Sequence, residues 1–146
     1  MLKFETVQDI INLEKEAPFS DRLTEKTIHK ALKRVADNFP SRPAISFQIS
    51  SKPGSSSETY TWNELYTNVV KAANLFRKEG IGKDDVIAFV LPNCSETAIT
   101  FLAGAIAGIV NPINALLEPK QISAILRETN AKAIVTLSPM LKTEVA

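Results

Sequence analysis

VIAFVL, at residues 86–91, is an unbroken apolar run that is rich in β-branched side chains. Such runs are typical of a strand that is buried on both faces, as in a parallel sheet. Pro92 ends this strand, and SETAITFLAGAIA at residues 95–107 is predicted to form a helix that stops at Gly108. The segment therefore predicts a buried strand followed directly by a helix.

The residues that follow repeat this order. A short strand is predicted at residues 109–110 and is broken by Pro112, and a helix is predicted at about residues 119–129, with Pro119 at its first position. A last strand is predicted at residues 133–137. Strands that alternate with helices in this way imply right-handed crossovers, so the predicted fold class is α/β with a mostly parallel sheet covered by helices on both faces.

Two helix starts can be located from capping residues. TWNE at residues 61–64 matches a capping box, in which the threonine oxygen and the glutamate each satisfy a free backbone amide. The helix that it opens is expected to end at Gly80. For the helix after Pro92, Asn93 and Ser95 are both candidate caps.

The N-terminal third is predicted to contain helices and a hairpin. Apolar spacing favours a short amphipathic helix at residues 6–16 and a second helix at about residues 26–39. Strands at residues 44–49 and 59–61 then form a β-hairpin around a polar loop at residues 50–57.

Composition argues against nucleic acid as a partner. The formal net charge is +1, and hydrophobic residues make up 45% of the chain, as in ordinary globular proteins. One basic cluster is interspersed with acidic residues and is interpreted as a solvated helix face; it comprises Lys26, Lys30, Lys33 and Arg34.

The chain carries one cysteine, Cys94, which excludes an intrachain disulfide and favours a reducing, cytoplasmic location. The apolar stretch at residues 98–110 is shorter than the ~20 residues that a membrane span requires. It contains a G-x-x-x-G match at Gly104 and Gly108, which we interpret as small residues that let a core helix approach a sheet closely.

No residue pattern in the chain predicts a catalytic, cofactor-binding or metal site. The strand-to-helix turns lack the glycine-rich sequences that hold nucleotide phosphates. The loop at residues 52–57 resembles a phosphate cradle but lies at a hairpin tip, away from the aligned amides of a helix N-terminus. His29 lies in a basic helix far along the chain from Cys94, and nothing in this spacing predicts a catalytic pair. We interpret Cys94 as a small buried thiol.

Four segments resemble the adenylate-forming enzymes when they are taken in order. YTWNEL at residues 60–65 looks like the first core motif of that family, and residues 86–102 resemble the strand, turn and helix that come next. AIAGIVNPINALLEP at residues 105–119 is similar to the second core motif of the family. Residues 122–136 are similar to the helix and strand that follow that motif. The resemblance extends over roughly residues 24–137.

Within this family the chain looks most like the acyl-CoA synthetases. The Asn-Pro-x-Asn end of the second motif and the bulky loop after Ile49 carry that likeness. Two residues depart from the family's usual pattern: Ile106 stands where a basic residue is common, and Trp62 replaces a commoner tyrosine. Both departures weaken the assignment to the acyl-CoA synthetases more than the assignment to the adenylate-forming family.

The resemblance implies an enzyme that joins a carboxylic acid to ATP as an acyl-adenylate, releases pyrophosphate and transfers the acyl group to CoA. A fatty acid is the expected substrate, and ATP, Mg²⁺ and CoA are expected for the full-length enzyme. The family's triphosphate loop, ribose aspartate and catalytic lysine are expected beyond Ala146, so no functional residue is carried over and this segment is expected to be inactive alone.

We therefore expect an N-terminal helical extension at residues 1–23 and an incomplete AMP-binding domain at residues 24–146. The alternative hypothesis is a stand-alone, non-catalytic α/β module for binding or interaction. Since the helix at residues 95–107 is apolar on most sides, the segment is also expected to self-associate.

Overall fold

A computed structural model describes residues 5–48 and 50–137 of the chain. Its helices are α1 (Val7–Glu16), α2 (Phe19–Arg22), α3 (Ile28–Asn38), α4 (Trp62–Lys78), α5 (Ser95–Ala107) and α6 (Pro119–Glu128). Its strands are β1 (Pro43–Gln48), β2 (Ser57–Thr61), β3 (Val86–Val90), β4 (Ile109–Pro112) and β5 (Ala131–Thr136).

Among the described residues, the parallel sheet has three strands in the order β4-β3-β5, so β3 lies between the other two. Ile87 is aligned with Val110 of β4 on one side and with Ala133 of β5 on the other. Both neighbouring strands run parallel to β3, because the chain crosses back through a helix before each of them. α5 connects β3 to β4, and α6 connects β4 to β5. The α/β fold class with a parallel sheet is confirmed.

Successive β3 side chains enter two different cores. Ile87, which is fully buried, belongs to a cluster with Val69 of α4 and Ala103 of α5. Ala88, also fully buried, belongs to a second cluster with Ile113 and with Ile122 of α6. Because side chains alternate along a strand, these two clusters lie on opposite faces of the sheet. Helices therefore cover both faces, as the sequence predicts.

The capping analysis is confirmed at the start of α4 and wrong at the start of α5. Thr61 forms a capping box with Glu64, and at the start of α1 Thr6 forms another with Asp9. The predicted cap of α5 was wrong, since neither Asn93 nor Ser95 occupies that position. Cys94 is the N-cap, and its side chain makes no capping hydrogen bond.

The hairpin forms as predicted, although its strands are placed differently. β1 and β2 pair antiparallel from Pro43 with Thr61 to Gln48 with Ser57, so each strand begins earlier than expected. Ile49, the predicted end of the first strand, lies outside the described residues, as do residues 138–146 of the predicted domain.

Cross-strand contacts hold the hairpin together on its polar face. The Ser46 and Thr59 hydroxyl oxygens lie 2.8 Å apart, within hydrogen-bonding distance. Both strands also pack against α4, and β1 contacts α5. The hairpin is therefore attached to the parallel sheet through helices.

The bounds of α3, β4 and β5 differ from the predicted ones by a few residues. α3 begins at Ile28, capped by the Thr27 hydroxyl, instead of at residue 26. β5 starts at Ala131, two residues before the predicted strand, and β4 continues through Pro112, which pairs with Phe89. A proline is tolerated there because β4 lies at the edge of the described sheet.

The N-terminal helices bury little apolar surface. α1 is amphipathic as predicted but has no buried residue, and Val7 is 73% exposed. The short helix α2 was not predicted, since its four residues are too few for an apolar period to show.

The two glycines of the G-x-x-x-G match bring α5 close to the sheet, as expected. A Cβ on Gly104 would lie 3.2 Å from Cγ2 of Val110 in β4. A Cβ on Gly108 would lie 2.5 Å from the Asp85 carbonyl oxygen and 2.8 Å from that of Gly82. Among the helices of residues 5–48 and 50–137, none has the length and hydropathy that crossing a membrane would require.

Replacing Gly108 by alanine is expected to destabilise the protein by about 1–3 kcal/mol, the usual cost of overpacking. The added carbon meets two backbone oxygens, which cannot rotate away as a side chain would. Gly82→Ala is the matched control, because its new Cβ would lie 3.4 Å from a side-chain oxygen of Asp85. Urea denaturation compares the two variants, and equal stability would contradict the close-approach argument.

Candidate functional site

The candidate site lies at the carboxyl end of the parallel strands. β3 leads through Leu91 and Pro92 into α5, and β4 leads into residues 113–117. In open α/β sheets, ligands bind in the crevice at this edge, where the loops from neighbouring strands diverge. Two adjoining cavities occupy it in this protein.

The first cavity, here called the apolar groove, has a volume of about 550 Å³. Its walls come from β1, from the end of β3 and from α5. The apolar lining residues are Ile45, Phe47, Phe89, Ala98, Phe101 and Leu102. Ser46, Asn93, Cys94 and Thr97 complete the lining, so no charged residue faces the groove.

The second cavity, here called the asparagine cavity, measures about 580 Å³ and lies between the loops after β3 and β4. It shares Phe89, Asn93 and Thr97 with the apolar groove, so the two cavities adjoin. Asn114 also lines it, and its side-chain oxygen accepts a hydrogen bond of 2.9 Å from the Leu116 amide. The edge thus combines an apolar region with amide side chains.

Short hydrogen bonds order the turn between β3 and α5. The Thr97 hydroxyl donates to the Pro92 carbonyl oxygen at 2.5 Å, and the Cys94 sulfur lies 3.3 Å from the same hydroxyl oxygen. The Thr97 amide donates to the Cys94 carbonyl oxygen at 3.2 Å. Cys94 is half-buried, as a free thiol on the wall of the groove.

One side-chain hydrogen bond joins the hairpin to the start of α5. The Ser95 hydroxyl, which is 1% exposed, donates to Oε2 of Glu58 on β2 at 2.5 Å. The Tyr60 hydroxyl donates to Oε1 of the same carboxylate at 3.0 Å. Glu58 therefore holds the hairpin at a fixed position against α5, on the side of the groove where Phe47 lies.

The Glu58 carboxylate also changes the pKa of the neighbouring Tyr60 hydroxyl. Hydrogen bonding to Glu58 raises the pKa of Tyr60 above its ordinary value of 10.0, and burial adds to the effect. The charges of Glu58, Glu96 and Glu64 raise it further, because a tyrosinate would be repelled by them. Tyr60 therefore stays protonated and acts as a donor at neutral pH.

A second charged group lies at the opposite edge of the sheet. Nζ of Lys132 is 2.9 Å from both Oδ2 of Asp85 and the Gly80 carbonyl oxygen. The Gly82 amide donates to the same Asp85 oxygen at 2.6 Å and, with Lys132, holds the pKa of Asp85 below its ordinary value of 3.8. Since these contacts join the loop before β3 to β5, we interpret the group as structural.

Of the residues weighed in the sequence analysis for a chemical role, Cys94 lies at this edge, whereas His29 and the polar loop lie elsewhere. Nε2 of His29 lies 3.1 Å from the Tyr66 hydroxyl oxygen, which joins α3 to α4. The polar loop lies at the hairpin tip, where the Ser55 hydroxyl donates to the Lys52 carbonyl oxygen at 2.7 Å. The expectation that the chain supplies no catalytic, cofactor-binding or metal residue stays a prediction.

Sequence reasoning missed Glu58 and Phe89 as residues of this edge. Glu58 is separated from Ser95 by 37 positions, and no local pattern connects the two. Phe89 had been assigned only to the buried strand, but its place near the end of β3 puts it between both cavities.

In residues 5–48 and 50–137, no group of three or more His, Cys, Asp or Glu side chains is arranged to hold a metal ion. No chemical step is assigned to Mg²⁺ here.

The family model described as AMP-binding enzyme matches residues 32–146. The matched range includes β3, α5, β4 and both loops that line the asparagine cavity. The chain therefore belongs to the AMP-binding enzyme family, which confirms the resemblance found in the sequence.

Among curated relatives, the marinolic acid–CoA ligase of Pseudoalteromonas sp. (strain SANK 73390) is 32% identical over 133 residues, which is 91% of this chain and 20% of the relative. The long-chain-fatty-acid–CoA ligase of Bacillus subtilis (strain 168) is 30% identical over 123 residues, 84% of this chain and 20% of the relative. The chain spans about a fifth of the length of these relatives.

Among solved structures, the chain is similar to the inhibitor-bound N-terminal domain of FACL13 from Mycobacterium tuberculosis. The TM-score is 0.67 at 24% sequence identity, and the match covers 79% of this chain and 28% of that one. At this level of identity the likeness establishes the fold.

Replacing Glu58 by glutamine is expected to lower the pKa of Tyr60 towards 10.0, since the neutral amide no longer opposes the tyrosinate charge. Tyrosinate absorbance measures the titration, and Tyr60→Phe identifies which step belongs to this residue. Asp84→Asn, which removes a carboxylate from the loop before β3, is the control and should leave the titration unchanged. A pKa of Tyr60 that does not fall in Glu58→Gln would contradict the effect of the Glu58 charge on this hydroxyl.

Proposed function

We propose that the chain is the N-terminal part of a ligase that activates a carboxylic acid with ATP and transfers the acyl group to CoA. A fatty acid is the favoured substrate class. The family match over residues 32–146 carries the proposal. Two of the relatives act, by their names, on marinolic acid and on long-chain fatty acids, and the N-terminal domain of FACL13 shares the fold.

The geometry of the candidate site supports this function in one respect. The apolar groove and the asparagine cavity adjoin at the sheet edge, so the edge can accept a molecule with both an apolar and a polar part. A carboxylic acid with a hydrocarbon chain is such a molecule. ATP, Mg²⁺ and CoA are proposed as the other reactants of the whole enzyme, bound by residues outside this segment.

We also propose that the 146 residues are inactive alone, because the resemblance assigns the triphosphate loop and the catalytic lysine to other segments. The proposed location is the cytoplasm, since a single unpaired cysteine suits a reducing compartment.

The direct test is carboxylate-dependent exchange of pyrophosphate into ATP. A polypeptide that contains this chain and spans the full length of its relatives is expected to catalyse exchange with at least one fatty acid. The 146-residue chain at equal concentration is the control and should show none. Failure of the longer polypeptide with fatty, aryl and short acids would overturn the ligase assignment, and exchange by the chain alone would overturn its proposed inactivity.

Self-association of the chain is proposed from its exposed apolar side chains. Phe101 of α5 is 43% exposed and Leu75 of α4 is 54% exposed, whereas Ile99, Leu102 and Ile106 are packed against the core. Light scattering of the 146-residue chain is expected to show a mass that rises with concentration.

Leu75→Ser should reduce the increase of mass with concentration in light scattering, because it removes exposed apolar surface from α4. Lys71→Ser, one turn earlier on the same helix and also exposed, is the matched control. A mass that stays monomeric at high concentration would count against self-association.

A further inference from the structure

The β1–β2 hairpin is attached to the rest of the molecule differently at its two ends. At its base, the Trp62 amide donates to the Arg42 carbonyl oxygen at 3.0 Å, and the Asn63 amide donates to the Pro40 carbonyl oxygen at 3.2 Å. These bonds tie the residues before β1 to the start of α4. Side chains near the base also pack against the core cluster that contains Ile87, namely Ala44, Ile45 and Tyr60. The base is therefore anchored by backbone and core contacts.

The other half of the hairpin, residues 46–48 and 57–59, is here called the flap. Among the described residues, no flap side chain belongs to either core cluster. The Ser46 and Thr59 hydroxyls bond each other within the flap. In the part of the chain that the structure describes, the Ser95–Glu58 bond is the one side-chain hydrogen bond that joins the flap to a helix.

Charges at the start of α5 act on this bond in both directions. The Ser95 hydroxyl donates to a carboxylate, and hydrogen bonds to charged groups are stronger than those between neutral groups. The carboxylate also lies at a helix N-terminus, where Cys94 makes no side-chain cap and negative charge is favoured. Glu96, in the first turn of α5, lines the same cavity as Glu58 and repels it.

We propose that the flap swings on the anchored base of the hairpin and that the Ser95–Glu58 bond is the latch that holds it against α5. Breaking the latch leaves the repulsion between Glu58 and Glu96 unopposed by that bond. The flap then moves away from α5 while the base and the parallel sheet stay folded. This device is independent of the proposed ligase function, because it rests on contacts within the chain.

Cys94 reports on the position of the flap. It is the one cysteine of the chain, and it lines the apolar groove together with Ser46 and Phe47 of the flap. Movement of the flap therefore gives a reagent freer access to the half-buried sulfur. The measurement is the rate at which iodoacetamide alkylates Cys94 in the folded 146-residue chain, followed by mass spectrometry.

Ser95→Ala is expected to raise this rate about tenfold, because it removes the latch and leaves the repulsion between the two glutamates. Glu58→Ala should raise the rate by a smaller factor, since it removes that repulsion as well. In the Glu58→Ala background, Ser95→Ala should change the rate by less than about twofold, because the hydroxyl then has no carboxylate to hold.

Ser46→Ala is the matched control. It removes a hydroxyl contact with Thr59 inside the flap and leaves the Ser95–Glu58 bond in place. The alkylation rate should stay unchanged in this variant. An equal increase in Ser46→Ala and Ser95→Ala would mean that the stability of the hairpin itself limits access to Cys94, which overturns the latch.

Low concentrations of urea separate movement of the flap from unfolding of the whole chain. Movement of a small segment exposes little surface, so the rate in Ser95→Ala should be nearly independent of urea below the unfolding transition. A rate that rises steeply from the lowest urea concentration would mean that Cys94 reacts through global unfolding, and would overturn the flap. Equal rates in Ser95→Ala and in the unsubstituted chain would overturn the latch.

Discussion

The burial of β3 on both faces is the constraint on which the rest of this structure depends. Ile87 and Ala88 are each fully buried, yet they contribute to different hydrophobic clusters. A strand in this position cannot have a polar side, so the helices before and after it must supply apolar surfaces to both faces. α4 and α5 cover one face, and α6 covers the other.

That arrangement also determines where a ligand can reach the sheet. With both faces covered, the strand ends are the accessible part, and the loops after β3 and β4 diverge at the carboxyl edge. The opposite edge is closed by the Lys132–Asp85 pair and by the close approach of Gly108 to the Asp85 carbonyl oxygen. The two edges therefore differ, since one carries the two cavities and the other is closed by polar contacts.

Most of the fold could be predicted because its signals are local. A capping box at Thr61, an apolar run at β3 and glycines at helix ends each act within a few residues. The Cys94 cap was missed because cysteine is not a usual capping residue, and the backbone takes the extended cap conformation without help from the side chain. The candidate site depends instead on distant pairs such as Glu58 with Ser95, which no local pattern specifies.

The hairpin has a consequence for the dynamics of the molecule. Within the part of the chain that the structure describes, β1 and β2 form a two-stranded sheet, and such a sheet is marginally stable unless it packs on other elements. It depends on α4 and α5, whereas β3 is held by a strand on each side and by two cores. Local opening that frees the hairpin therefore requires less free energy than separation of the β3 ladder. One wall of the groove thus belongs to an element that can open while the central sheet stays folded.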